Sequence, residues 1–170
     1  MVAVLAAPSY RHRCARYHAS VGMTCKLVRL GPDEVSGVRA EAIDVLDLID
    51  WYHPTDRWLD LDEPAWMGPL AAFEAHDRAD SLTAAFLPGK PLFDESEGRD
   101  MIMLSEPALV RSVADALDAF DPADVSPPPR RRWRRQPRID LDDLAPDLDE
   151  LRNCYRRAAA DGEAIAVVIG

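Results

Sequence analysis

The chain is poor in cysteine, in lysine and in long apolar runs. Three cysteines in 170 residues, Cys14, Cys25 and Cys154, form an odd set with no C-x-x-C spacing, which supports neither a disulfide framework nor a zinc ribbon. A reducing, cytoplasmic setting is the expectation. The apolar run near the start, Val2 to Ala7, spans six residues and its arginines follow it, the reverse of a secretory signal. Nothing approaches the roughly 18–20 apolar residues of a membrane span. Arginine outnumbers lysine 18 to 2, a bias that suits a GC-rich bacterial genome and carries no functional weight. G-x-S-x-G, P-loop, Rossmann and H-E-x-x-H patterns are all missing, so no familiar catalytic motif points to a reaction or a cofactor.

Acid is what the chain has in excess. Thirty Asp+Glu stand against 20 Lys+Arg, a formal charge of −10, which opposes a polyanion spread over the whole surface. The deficit is uneven. Residues 1–22 contribute +3 and residues 130–138 contribute +6, so the other 139 residues hold 30 acids against 11 bases, a charge of −19. The length points to one domain, and 48% hydrophobic residues supply a core, since a chain of this size buries about 68–70% of its unfolded surface.

The periodicities alternate between strand and helix. Met23 to Leu30 has the two-residue period of a strand, blurred by Arg29. Pro32 then opens one amphipathic helix carrying Val35, Val38, Ala42, Val45, Leu46 and Ile49. Trp51 to Asp62 is aromatic and turn-rich. Glu63-Pro64 begins a second helix with Trp66, Leu70 and Phe73, and a shorter one spans Ser81 to Leu87 before Pro88-Gly89. Met101 to Leu104 reads as a strand, Ser105 as the N-cap of a helix carrying Leu109, Val110, Val113, Leu117 and Phe120. A last helix from about Pro146 places Leu148, Leu151, Tyr155 and Ala158 on one face, with Gly162 at its C-terminal cap. Glu163 to Ile169 closes as a strand. The order favours an α+β fold with a small sheet.

Four blocks in this order resemble the YfbM-like family, the bacterial domain of unknown function 1877. They are Gly22-Met23 before the first strand, Leu59-Asp60-Leu61-Asp62 ahead of Trp66, Ser105-Glu106-Pro107 through Val110, and the Tyr155 to Gly162 helix end before an apolar strand. The resemblance implies helices packed on a small mixed or antiparallel sheet over about residues 23–170, and no established activity. It departs at Trp66-Met67-Gly68-Pro69-Leu70, where the family's Trp-His-Gly-Leu-His loses both histidines. The family's Met-Gly-Met opening also casts residues 1–22 as a disordered leader or an upstream extension from a misassigned GTG start at Val21.

Four groups of residues invite a functional reading. Asp60, Asp62, Asp140 and Asp142 lie in two short acidic runs that could meet and hold a hard cation, or simply favour helix N-termini. Trp51, Tyr52, Trp58 and Trp66 could wall a ligand or partner groove, or close a core. Arg130, Arg131, Arg132, Trp133, Arg134 and Arg135, within a Pro/Arg loop at 126–138, could grip a partner or a polyanion, or neutralise the body's own acids. His12, Cys14 and His18 match metal-ligand types but sit in the leader, and His53 and His76 lack partner spacing. The expectation is a non-catalytic interaction module that presents an acidic surface to a basic protein partner, as in toxin antagonism or regulation. The alternatives are an enzyme or metal-binding protein using clustered carboxylates, and a weak nucleic-acid binder through the arginine loop.

Overall fold

The computed structural model describes residues 23–51, 57–76, 79–93, 100–124 and 141–170. The leader and the Pro/Arg loop lie outside the described residues. Strand β1 (Cys25–Leu30) leads into helices α1 (Pro32–Arg39) and α2 (Val45–Trp51); β2 (Trp58–Leu61) precedes α3 (Glu63–Glu74) and α4 (Ala79–Thr83). Strand β3 (Met101–Ser105) is followed by α5 (Pro107–Asp118), and α6 (Leu141–Asp161) by β4 (Ala164–Ile169). The four strands form one sheet in the order β2-β1-β4-β3, and every neighbouring pair is antiparallel. The fold is α+β.

Register sorts the side chains into two cores. Leu27 lies opposite both Leu59 and Val167, and Val167 opposite Met103; this face carries the larger cluster, with Trp66, Phe73, Phe86, Phe120 and Tyr155 under α3 to α6. Val28 lies opposite Trp58 and Ala166, and that face packs Val38, Val45, Leu48 and Ile49 of α1 and α2. Helices therefore cover both faces. That explains why β4 is buried at all six positions with no polar alternation.

The helix that began at Pro32 stops sooner than its apolar stripe suggests. The amide of Ala42 donates to the Gly37 carbonyl at 2.9 Å and that of Glu41 to Val38 at 3.1 Å, the paired bonds of a Schellman end, with Glu41 at φ 54°. Ile43 then folds back on Gly37, where a Cβ would meet its side chain at 2.3 Å. The same pattern closes α6: Glu163 N donates to Ala158 at 2.9 Å and Gly162 takes φ 69°, as expected for a glycine there.

Two other boundaries differ from the sequence reading. Ser105 ends β3 in full burial and Glu106 occupies the N-cap of α5; pairing with Ile165 of β4 holds Ser105 in the strand. Helix α6 starts at Leu141 and carries Pro146 inside it. Its predicted stripe of Leu148, Leu151, Tyr155 and Ala158 is fully buried. Among the described residues, no helix is long and apolar enough to cross a membrane.

Candidate functional site

The two ends of the sheet gather charge in different ways. At one end β1 and β3 finish, while β2 and β4 begin. Arg29 occupies an inward position on β1 and is 6% exposed. Its Nε donates to Glu163 at 2.7 Å and its Nη2 to Asp161. Arg57, just before β2, donates from Nη2 to Glu34 at 3.0 Å, to the other oxygen of Glu163 at 3.3 Å and to the Arg29 carbonyl at 3.2 Å. Glu34 also accepts from the Gly31 amide at 2.7 Å, reaching back over the start of α1. Two guanidiniums and three carboxylates thus tie β1, α1, the entry to β2 and the α6–β4 turn together. Sequence reasoning missed this group. Its one signal was Arg29 interrupting an otherwise apolar alternation.

Beside the cluster opens a cleft of about 200 Å³ lined by Leu30, Pro32, Val35, Glu106, Pro107 and Ala164, with Gly162 at its edge. Small-molecule sites run to roughly 300–1,000 Å³ with several converging polar groups. Here Glu106 is the ionisable lining residue, and it pairs with Arg39 of α1.

At the opposite end acidic side chains approach one another. Asp62 caps α3, accepting from the Ala65 amide at 3.1 Å, which is the helix-terminal role open to such a carboxylate. Asp147 of α6 has its carboxyl raised above the usual range by loss of solvent, by Glu150 and by Asp62. The acidic run before α3 therefore meets the first half of α6. Asp60 is exposed on β2, in register with Lys26 of β1. Asp142 falls in the first turn of α6, its side chain outside the described set, as is Asp140 altogether. Among the described residues, no three His, Cys, Asp or Glu side chains are grouped to hold a metal.

Trp58 and Trp66 are separated by the sheet. Trp66 is 3% exposed in the larger core, 6.2 Å from Phe86, which stacks on Phe73 at 6.1 Å. Trp58 packs half-buried in the smaller core on the other face. The Trp51 side chain, Tyr52 and His53 lie outside the described residues, as do Arg130, Arg131, Arg132, Trp133, Arg134 and Arg135. His76 packs edge-on against Phe120 at 5.4 Å.

Cys25 and Tyr155, both buried, and the half-buried Cys154 are chemically quiet. Burial raises the Cys25 thiol and the Tyr155 phenol, and Tyr155 donates to the Ala85 carbonyl at 2.8 Å. Burial also pushes the Cys154 thiol up to about 12, against the lowering influence of Arg29 and Arg157. Neither thiol supplies a thiolate at neutral pH.

Comparison with known proteins agrees with this architecture. A search among curated proteins finds no match. Among solved structures the chain is similar to a protein of unknown function, YfbM, from Escherichia coli, with a TM-score of 0.60 and 16% identity over 86% of this chain and 99% of that one. At that identity the likeness speaks for the fold. The model of a domain of unknown function, DUF1877, matches residues 21–168, nearly the whole length, and the chain therefore belongs to the DUF1877 family.

Proposed function

We propose that this protein is a non-catalytic interaction module that presents an acidic surface, formed by the start of α3 and the first half of α6, to a basic protein partner. Toxin antagonism or regulation is the kind of role such a surface serves. The observation that carries the reading is the approach of Asp62 to Asp147, far apart in sequence, where Glu150 and Asp62 both add to the loss of solvent in raising the Asp147 carboxyl. Like charges gathered on one surface favour a cationic visitor and speed its approach. The surrounding body reinforces them, since outside residues 1–22 and 130–138 the chain carries −19.

The test is binding of an arginine-rich peptide, followed by fluorescence anisotropy at low and high salt. A triple variant, Asp62→Asn with Asp147→Asn and Glu150→Gln, is expected to bind about tenfold more weakly at low salt, or roughly 1.4 kcal/mol shared over three charges. Salt should erase most of the difference. Equal affinity of the parent and the triple variant, or no binding by the parent, overturns the proposal.

A further inference from the structure

We draw no further inference here: the strongest candidate, the largely apolar cleft between the starts of α1 and α5 at the braced end of the sheet, has nothing in the structure to show what covers it.

Discussion

The two ends of the sheet solve opposite problems with the same residue types. At the end where β4 begins, Arg29, Arg39 and Arg57 meet Glu34, Glu106, Asp161 and Glu163, so that each of these arginines faces acid. At the other end Asp147 is repelled by Glu150 and by Asp62. The difference lies in burial. Arg29 is enclosed, and an enclosed charge without a partner costs several kcal/mol. The acids of the other end sit in or near water, where repulsion is weak enough to keep. A fold can thus hold an unbalanced surface only where solvent screens it, and that is where a charged partner has access.

Breaking the braced end should have the largest effect. Arg29→Ala leaves Glu163, itself only 16% exposed, without its nearest cation, and should destabilise by about 3 kcal/mol, the lower part of the range for a broken buried pair, because Asp161 is 59% exposed. Adding Glu163→Gln to Arg29→Met should recover much of that loss, since the uncompensated charge is gone. Urea unfolding of the single and double variants checks both statements. A double variant no better than Arg29→Met alone would mean that the charge left on Glu163 is not the source of the loss.

The turn beside it offers a smaller perturbation. Nothing lies within 4 Å of a Cβ built on Gly162, so Gly162→Ala carries only the cost of a left-handed backbone, about 1–2 kcal/mol. Glu41 shows that a residue other than glycine can sit in the same motif at the end of α1. Converting it, Glu41→Gly, should stabilise by up to about 1 kcal/mol by the same reasoning. Thermal unfolding of the two variants should therefore move in opposite directions, and movement of both the same way would refute a common cause.

At the acidic end, capping and repulsion can be separated on one residue. Asp62→Ala removes the acceptor for the Ala65 amide and should cost about 1 kcal/mol. Asp62→Asn keeps an acceptor of similar capping strength and removes the charge beside Asp147. It should leave stability unchanged or slightly raised, as read by chemical denaturation. A loss with Asn equal to that with Ala would show that the carboxylate charge at the helix start outweighs its quarrel with α6.

Local signals in the chain carried most of the frame. The stripe of Leu148, Leu151, Tyr155 and Ala158, the glycine cap at Gly162 and the closing apolar strand were legible because each depends on neighbours within a few turns. Strand β2 was not. Trp58 to Leu61 is four residues whose identity comes from pairing with β1, more than twenty-five residues earlier, and nothing local distinguishes it from a turn. The break after Arg39 was hidden for a related reason: the apolar stripe continues through it, and Ile43 packing on Gly37 decides the geometry. Candidate sites were harder still. Acidic runs announce charge but not position, so the influence of the α3 cap on Asp147 needed the packing of α6. Trp58 and Trp66 are neighbours in sequence whose separation follows from lying on opposite faces of the sheet.

The smallest expected effect tests the acidic end most directly. A carboxyl raised in the folded state, like that of Asp147, binds its proton more tightly folded than unfolded. Its contribution to stability is therefore full below the ordinary Asp pKa of about 3.9 and is lost as pH rises through the elevated folded value. Asp147→Asn removes that loss. The variant should match the parent in strongly acidic buffer and exceed it near neutrality by no more than about 0.5 kcal/mol, as befits a largely solvated group. Added salt should shrink the gap, because part of it is repulsion from Glu150 and Asp62. A variant less stable than the parent at neutral pH would mean that Asp147 has a favourable partner when ionised, and the acidic end would then be as balanced as the braced one.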